Sequence, residues 1–284
     1  MMSHNKKDIF LKFKFFIVKF IILIGQKTFL GRGTLRKFLI NTINFIIPAG
    51  NIRISRFICY VKGVPFNFYN DNLTGIKFYF GRNETKEIEF IKKNSTHNST
   101  FIDIGANMGL YAQNIASLIN SNTQIKIICI EPHIINCERL KENFDLLKDR
   151  SNDLKELVKI KNCAVGEDNK IAFFDFTNGL ANGFIQSIKD ENSILITSRK
   201  LNDIVVEENL THITNLKIDI EGYEDRALIP FFETAKTSLF PKNILMEHSS
   251  KDIWERDLLK FLFDIGYQTV FKNKSNIALS LKKN

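Results

Sequence analysis

The segment Phe101-Ile-Asp-Ile-Gly-Ala-Asn-Met-Gly109 joins a short apolar run to a turn that carries two glycines. An apolar run followed by glycines and then by the apolar pattern of residues 110–119 is typical of a β-strand that leads into an α-helix. Glycines at such a turn allow the backbone to approach a ligand closely at the start of the helix. The segment therefore predicts a ligand-binding turn between a strand and a helix.

Strand-like and helix-like segments alternate from residue 101 onward, which indicates βαβ units and a parallel sheet in an α/β fold. The predicted strands cover residues 101–104, 125–130, 158–165, 216–220 and 243–246. The predicted helices cover residues 110–119, 134–148, 223–233 and 254–263. Two further strands, at 171–176 and 194–197, interrupt the alternation. A last pair, 267–271 and 277–281, is joined by so short a connection that only antiparallel pairing is possible.

The charge of the chain is concentrated at its N-terminal end. The 284 residues are 44% hydrophobic and 25% charged. A chain of this length and composition can bury the core of one or two domains, which excludes a disordered chain or a small disulfide scaffold. Residues 1–56 contain eleven basic side chains and one acidic, a charge of +10, so the remaining 228 residues carry −1 of the total of +9. A neutral body disfavours nucleic-acid binding. The basic part predicts a helical, surface-docking leader over residues 1–55.

The apolar residues of this leader are interrupted by lysines, so no run reaches the roughly 18 residues that a membrane-spanning helix needs. Phenylalanine, isoleucine and leucine alternating with lysine suit a helix that lies on an anionic membrane surface. A packed helix whose lysines extend to water explains the same pattern, and both interpretations stay open. Strands at 56–61 and 75–80 and a helix at 84–93 predict an N-terminal β/α extension over residues 56–99.

The cysteines show no spacing typical of a zinc site or of a disulfide framework. They are Cys59, Cys129, Cys137 and Cys163. Reduced thiols of this kind predict a cytoplasmic protein, peripheral at the inner face of the membrane if the leader docks there.

Glu131 follows the second predicted strand, where an acidic side chain can accept hydrogen bonds from both hydroxyls of a ribose. The dinucleotide-binding fingerprint requires G-x-G-x-x-G, and the phosphate-binding loop requires a lysine after its second glycine. Gly105 and Gly109 satisfy neither pattern. A nicotinamide-dependent oxidoreductase would share the strand, the turn and the acid, but its glycine spacing is absent.

Lys217, Asp219, Glu221 and Glu224 form a dense charged group at the end of a predicted central strand. Strand alternation places the first three on one side, converging on the crevice outside the carboxyl ends of the sheet. The central strand of an α/β sheet is buried on both faces, so ionised residues there require charged partners or have a functional role.

Five segments resemble, in order and rough spacing, the FkbM family of S-adenosylmethionine-dependent methyltransferases. They are residues 101–111, 130–133, 162–166, 216–224 and 244–248. The resemblance implies the Rossmann-like class I methyltransferase fold, a mostly parallel seven-stranded sheet with an antiparallel last strand. It implies a domain that binds S-adenosylmethionine over residues 100–284, after the N-terminal extension.

Position by position, the resemblance implies that the first turn holds the methionine part of the cofactor, that Glu131 holds the ribose, and that the end of the 158–165 strand lies near the adenine. The cofactor-binding residues so implied are Asp103, Gly105, Ala106, Asn107, Gly109, Glu131, Cys163 and Ala164. The family usually has Leu-Asp-Asp where this chain has Leu201-Asn-Asp203. The substrate side, between Gly166 and Ser198, also matches loosely, and residues 178–183 stand where the family commonly has a Gly/Ser-rich patch.

An alcohol becomes a good methyl acceptor only when its proton is removed. His248 or Asp219 is the candidate base, and Lys217 and Glu221 would orient the acceptor or each other. His248 and Glu247 end the next predicted strand and would open into the same crevice, although a structural role at a strand end also explains the histidine. Carboxylates this dense could bind Mg²⁺, but spacing alone does not establish a site, and no metal is predicted.

The sequence thus predicts an O-methyltransferase that acts on a hydroxyl of a sugar in a cell-surface glycan, a glycolipid or a related secondary metabolite. The predicted partners are this small-molecule acceptor and an anionic membrane surface through residues 1–55, with no nucleic acid. Two alternatives stay open, the oxidoreductase and a non-catalytic binding module with a methyltransferase fold. The binding module would need damaged cofactor positions, and Gly105, Gly109, Glu131 and Asp219 are all present.

Overall fold

The computed structural model describes residues 4–28, 30, 33–48, 57–69, 76–81, 84–150, 153–175, 184–186 and 193–282. The chain forms two compact units, residues 1–85 and 86–284. The S-adenosylmethionine-binding domain was predicted to begin at residue 100. The second unit begins earlier because Ile88 and Ile91 of the preceding helix pack into its core.

The first unit contains two helices and a β-hairpin. Its elements are α1 (His4–Lys27), α2 (Gly33–Ile46), β1 (Phe57–Val61), β2 (Val64–Phe68) and a 3₁₀ helix (Ile76–Phe80). Lys62 and Gly63, with φ angles of 53° and 80°, connect β1 to β2. Two successive residues with positive φ form the tight turn that suits the twist of a two-stranded hairpin. No helix in the described part of the chain is long and apolar enough to cross a membrane.

The strand predicted at residues 75–80 is wrong, because Ile76–Phe80 forms a 3₁₀ helix. Tyr79 of this helix is buried, and its hydroxyl donates a hydrogen bond to the Asn67 carbonyl (3.0 Å) and accepts one from the Tyr69 amide (2.9 Å). These contacts with β2 and the residue after it outweigh the strand preference of an aromatic segment. Arg56 and Gly75, the predicted strand starts, lie outside the described residues.

The second unit contains both α-helices and β-strands. In chain order its elements are α3 (Thr85–Lys93), β3 (Ser99–Ile104), α4 (Leu110–Ala116), β4 (Ile125–Ile130), α5 (Ile134–Asp145), α6 (Leu154–Leu157), β5 (Val158–Lys161), β6 (Ala164–Val165), β7 (Lys170–Asp175), β8 (Phe184–Gln186), β9 (Ser193–Arg199), α7 (Leu201–Glu207), β10 (Asn215–Ile218), α8 (Glu224–Thr234), β11 (Asn243–Glu247), α9 (Leu258–Asp264), β12 (Tyr267–Lys272) and β13 (Asn276–Leu281).

Seven strands form the main sheet in the order β12-β13-β11-β10-β3-β4-β5. Strands β5, β4, β3, β10 and β11 pair in parallel, whereas β13 runs antiparallel to both of its neighbours. The predicted sheet with an antiparallel last strand is therefore confirmed, and this is the fold of class I methyltransferases. From β3 the chain proceeds outward through β4 and β5, and β10 then lies on the other side of β3. Ligands of such sheets bind at this reversal of strand order, outside the carboxyl ends of the strands.

Apolar residues cover both faces of the main sheet. Ile102 and Ile104 of β3 pack into one core with helices α7, α8 and α9, and Phe101 packs into a second core with α3, α4 and α5. Successive strand residues point to opposite faces, so a strand buried on both sides is apolar along its length. The polar exceptions in these strands, Asp103 and Lys217, therefore require an explanation.

The strand predicted over residues 158–165 is divided between two sheets. Its first half is β5 in the main sheet, and its second half, β6, belongs to a smaller sheet of order β6-β9-β7-β8.

Helix α9 begins at Leu258, four residues later than predicted, because Asp257 caps it by accepting a hydrogen bond from the Lys260 amide (3.0 Å). Residues 178–183, the loosely matching patch, lie outside the described residues.

Candidate active site

The turn after β3 lies against the turn after β10. The amides of Gly105 and Ala106 both donate hydrogen bonds to the Ile130 carbonyl, at 2.9 and 3.1 Å. Gly105 has a φ of 71°, and a Cβ atom on it would lie 2.0 Å from the carbonyl oxygen of Asp219. A side chain here would therefore force the two turns apart, which explains the glycine.

The rest of this turn also has a defined conformation. Asn107 and Gly109 have φ angles of 51° and 92°, and the Asn107 side chain accepts a hydrogen bond from the Met108 amide (2.7 Å). The Asn143 side chain of α5 donates to the Met108 carbonyl (2.9 Å). A Cβ on Gly109 would lie 2.7 Å from Leu140. The backbone of residues 105–109 is thus held in place by neighbouring strands and by α5.

Glu131 connects the turn after β3 to the turn after β4. Its Oε2 accepts a hydrogen bond from the Asn107 amide (2.8 Å), and its Oε1 accepts from the His133 amide (3.0 Å) and the Asn136 side chain (3.2 Å). Burial raises the pKa of Glu131, although these three hydrogen bonds oppose that shift. A carboxylate has about four acceptor positions, so the chain itself uses most of them and leaves about one for a ligand. Both ribose hydroxyls were predicted from the sequence to donate hydrogen bonds to this carboxylate.

Asp103 and Lys217 form a buried ion pair beneath the turn. Lys217 Nζ lies 3.3 Å from Asp103 Oδ1 and donates a hydrogen bond to the Gly105 carbonyl (2.7 Å). The ammonium also lies 5.5 Å from the centre of the Tyr111 ring. Burial raises the pKa of Asp103, and the nearby Lys217 opposes that rise. Both residues are buried, so they support the turn from below and are not exposed to the crevice.

Residues 162–164 follow β5 beside this turn. The Asn162 side chain donates hydrogen bonds to the carbonyls of Glu131 (3.0 Å) and Pro132 (2.8 Å), which ties the ends of β4 and β5 together. Cys163 and Ala164, expected near the adenine, are both buried. Burial raises the pKa of the Cys163 thiol to about 11, so this cysteine is a neutral packing residue.

The turn after β10 presents two carboxylates. The strand was predicted to continue to Ile220, but β10 ends at Ile218, because the chain turns through Glu221 and Gly222, with φ angles of 56° and 98°. Glu224 fixes this turn, since its Oε1 accepts from the amides of Ile220 (3.0 Å) and Gly222 (3.3 Å). Its Oε2 accepts from the indole of Trp254 (2.8 Å). Glu224 is therefore a structural residue of this turn.

Asp219, Glu221 and Glu247 form a carboxylate cluster at the carboxyl ends of β10 and β11. One oxygen of each lies within 4.8 Å of the others, and all three are partly exposed. This is a spacing at which carboxylates can share a proton or hold a cation. The side chain of Asp219 is 42% exposed, and its Oδ2 lies 3.9 Å from Lys217 Nζ. The cluster thus borders the turn that follows β3.

Crowding changes the acidity of the cluster. Burial, followed by repulsion from Asp219 and Glu224, raises the pKa of Glu221 to about 7. Burial and the charge of Asp219 raise the pKa of Glu247 to about 8, although the Ser249 hydroxyl donates a hydrogen bond to it. The cluster therefore holds protons up to a higher pH than ordinary carboxyl groups do. A carboxylate whose pKa is near the working pH is suited to proton transfer.

His248, the other candidate base, lies outside the carboxylate cluster. Its amide donates to the Ser275 carbonyl (2.8 Å), and its Nε2 lies 3.2 Å from the Asn273 carbonyl, a geometry in which that nitrogen is the donor. The histidine is buried against the turn between β12 and β13. Of the two candidate bases, Asp219 is the one that lies in the carboxylate cluster.

Sequence reasoning missed three residues that shape the site. Asn136 holds Glu131, Asn143 holds the turn after β3, and Trp254 holds Glu224. The two asparagines are fully or nearly fully buried on α5, and polar residues inside an otherwise apolar helix face were the available signal. Trp254 is the single tryptophan of the chain, and its indole N–H requires a partner when it is buried.

Several solved structures are similar to this chain at low sequence identity, and no curated protein matches its sequence. A methyltransferase FkbM from Methylobacillus flagellatus KT has a TM-score of 0.46 and 18% identity, over 72% of this chain and 52% of that one. The present chain thus spans about half the length of that protein. The M. jannaschii tRNA m1G37 methyltransferase has a TM-score of 0.44 and 13% identity, over 89% and 70% of the two chains. The Pyrococcus abyssi tRNA (uracil-54, C5)-methyltransferase, solved with S-adenosyl-L-homocysteine, has a TM-score of 0.42 and 7% identity, over 79% and 43%.

A family model described as the methyltransferase FkbM domain matches residues 103–269. This region is more than half of the chain. It contains the turn after β3, Glu131 and the three carboxylates of the cluster. The match confirms the resemblance stated from the sequence motifs. The chain belongs to the methyltransferase FkbM domain family.

Proposed function

We propose that the protein is an S-adenosylmethionine-dependent O-methyltransferase that works in the cytoplasm on a hydroxyl of a sugar, in a cell-surface glycan, a glycolipid or a related metabolite. Family membership supports methyl transfer. The observation that carries the choice of a hydroxyl acceptor is the carboxylate cluster of Asp219, Glu221 and Glu247, which stands beside the turn after β3.

The residues around this turn fit the cofactor. S-adenosylmethionine, when bound, supplies a methyl group on a positively charged sulfur. Residues 105–109 would hold its methionine part with their backbone, whose conformation depends on the positive φ angles of Gly105 and Gly109. Glu131 would accept a hydrogen bond from one ribose hydroxyl with the acceptor position that the chain leaves available. Lys217 keeps the turn in place by its hydrogen bond to the Gly105 carbonyl.

The carboxylate cluster would receive the acceptor's proton. The charge of Asp219 makes the largest electrostatic contribution to the raised pKa of both other carboxylates, and its side chain is 42% exposed. It would take the proton at a carboxylate oxygen as the acceptor oxygen attacks. Glu221 and Glu247, whose pKa values are about 7 and about 8, can then take up or release a proton near neutral pH. General-base assistance of this kind contributes about 10²–10⁴-fold in rate.

The chemistry of the cluster favours a polyhydroxyl acceptor. Neighbouring carboxylates accept hydrogen bonds from adjacent hydroxyls, which a sugar offers in fixed geometry. The 228 residues after Arg56 carry a net charge of −1, which gives a polyanionic nucleic acid little attraction. The acceptor we propose is therefore a neutral or weakly charged sugar.

The test is methyl transfer from S-adenosylmethionine labelled in its methyl group. The full chain is incubated with sugars, with lipid-linked sugars and with RNA, and the products are analysed by mass spectrometry. We expect a sugar product heavier by one methylene group, with the label on oxygen. Label found on nitrogen or carbon, or found only in RNA, would contradict the proposal.

A further inference from the structure

Helix α1 presents an apolar stripe that the described chain leaves exposed. The stripe consists of Ile9, Phe13, Phe16, Phe20 and Leu23, which are 64%, 58%, 67%, 55% and 43% exposed. Their spacing of four, three, four and three residues places them on one helical face. Contiguous exposed apolar surface of this kind marks an interaction site.

The opposite face of α1 packs within the first unit. Val18 and Ile22 are buried, and Gly25 lies so close to the Phe80 ring that a Cβ atom would be 2.1 Å from it. The Gln26 side chain donates hydrogen bonds to the carbonyls of Tyr60 and Tyr79, both at 2.7 Å. The helix therefore has a fixed rotation, and the stripe faces outward because the other side is used for folding.

Helix α2 adds to the exposed apolar surface of the first unit. Leu35, Phe38 and Phe45 are 43%, 67% and 87% exposed, whereas Ile43 is buried. The two helices are in contact with each other. Aromatic side chains on such helices are typical of segments that insert shallowly between lipid headgroups.

Positive charge accompanies the stripe. Lys12 and Lys19 are exposed on α1, and their spacing of seven residues places both along one edge of the stripe. Lys37 is exposed on α2. Asp8 is the only acidic residue among residues 1–56, which carry a net charge of +10. A partner that covers the stripe must therefore accept both apolar and basic side chains.

We propose that the first unit docks on an anionic lipid surface, with the stripe of α1 between the headgroups and the lysines at the phosphates. Each basic residue near such a surface contributes about 1 kcal/mol of attraction. A second copy of the chain is the competing occupant, because the stripe also has the spacing of a coiled-coil seam. Pairing of two copies would bring two surfaces of the same sign together, because residues 1–56 carry a net charge of +10, and this repulsion disfavours it.

The experiment is cosedimentation of the full chain with lipid vesicles. Vesicles of phosphatidylcholine mixed in equal parts with phosphatidylglycerol are compared with vesicles of phosphatidylcholine alone. We expect binding to the mixed vesicles that weakens as salt is added. The variant Phe16→Ser/Phe20→Ser should bind at least about tenfold more weakly, because two apolar side chains no longer leave water. Lys12→Glu/Lys19→Glu should also bind at least about tenfold more weakly.

Matched controls lie in the second unit. Ile171→Ser/Leu195→Ser removes two apolar side chains that are 69% and 64% exposed, and Lys141→Glu/Lys148→Glu reverses two exposed lysines. Both controls should bind as the unmodified chain does, and thermal melting checks that every variant is folded. Equal binding by all variants would overturn the proposal. A dimer in analytical ultracentrifugation that Phe16→Ser/Phe20→Ser dissociates would assign the stripe to a second copy and would also overturn it.

Discussion

Lys217 lies directly opposite Asp103 in the parallel pairing of β10 with β3, and their charged ends are 3.3 Å apart. The same ammonium donates a hydrogen bond to the Gly105 carbonyl (2.7 Å). One buried cation thus neutralises an acid within the sheet and holds the turn that we assign to the cofactor. We therefore expect Lys217 to act as a positioning residue and not to contact the acceptor, which was one of the two roles predicted for it.

Removing this cation should destabilise the protein strongly. Lys217→Met leaves Asp103 buried without its partner, and the loss of one member of a buried ion pair costs about 3–5 kcal/mol. The double variant Lys217→Met/Asp103→Asn should recover part of this free energy of unfolding, because the uncompensated acid is gone. Urea unfolding measures both values. Equal stability of the single and double variants would show that the two residues do not interact.

The close approach of the turn after β3 to the turn after β10 should not tolerate a side chain at Gly105. In Gly105→Ala the new Cβ would lie 2.0 Å from the Asp219 carbonyl. Gly63→Ala is the matched control, since Gly63 also has a positive φ, of 80°, but no atom within 4 Å of its Cβ position. The control should lose roughly 1–2 kcal/mol for backbone strain alone, and Gly105→Ala should lose clearly more. Similar losses in thermal and urea unfolding would contradict the close approach of the turns.

The fold was largely predictable from the sequence because buried parallel strands are apolar along their whole length. Strand β4 has the predicted bounds, and the antiparallel strands at the end follow from their short connection. The 3₁₀ helix at Ile76–Phe80 was not predictable, since its conformation depends on contacts of Tyr79 with residues 67 and 69. The strand β2 was missed, although Gly63 between two apolar segments was an available hairpin signal.

The position of the site in the sheet could be predicted from the sequence, but the role of each side chain in it could not. The motifs placed Gly105, Glu131 and Asp219 at neighbouring strand ends, where the structure has them. The direction of each side chain depends on its tertiary neighbours. Strand alternation was extended to Glu221, but the positive φ of Glu221 turns the chain at that point. The hydrogen bond of His248 with the Asn273 carbonyl was equally invisible in the sequence.

The carboxylate cluster should make stability depend on pH. Folding raises the pKa of Glu221 to about 7 and that of Glu247 to about 8, from an ordinary value of 4.5. The folded state therefore binds protons more tightly than the unfolded state, and the free energy of unfolding should fall as pH rises from about 4.5 to about 8. Glu247→Gln should flatten this fall, whereas Glu142→Gln, at an exposed position, should not. Thermal melting across this pH range measures the effect. If stability fell with pH as steeply in Glu247→Gln as in the unmodified chain, the protonation of Glu247 would not be linked to folding.

Asp219→Asn should abolish most methyl transfer and leave cofactor affinity nearly unchanged. The amide keeps the size of the side chain but cannot take up the acceptor's proton, and loss of a general base lowers the rate by about 10²–10⁴-fold. Asp264→Asn, on the surface of α9, should retain full activity. Initial rates with the acceptor identified for the unmodified enzyme provide the measurement. Full turnover by Asp219→Asn would remove Asp219 from this role.

Binding of S-adenosylhomocysteine, the demethylated product of the cofactor, tests the assignment of the turn after β3 without knowledge of the acceptor. Isothermal titration calorimetry is performed on the unmodified chain and on Glu131→Ala, whose folding is checked by thermal melting. We predict one saturable site in the unmodified chain and affinity at least about tenfold lower in the variant, because a ribose hydroxyl and the Asn107 amide both lose their acceptor. Absence of binding heat in the folded unmodified chain at several temperatures would contradict the methyltransferase assignment.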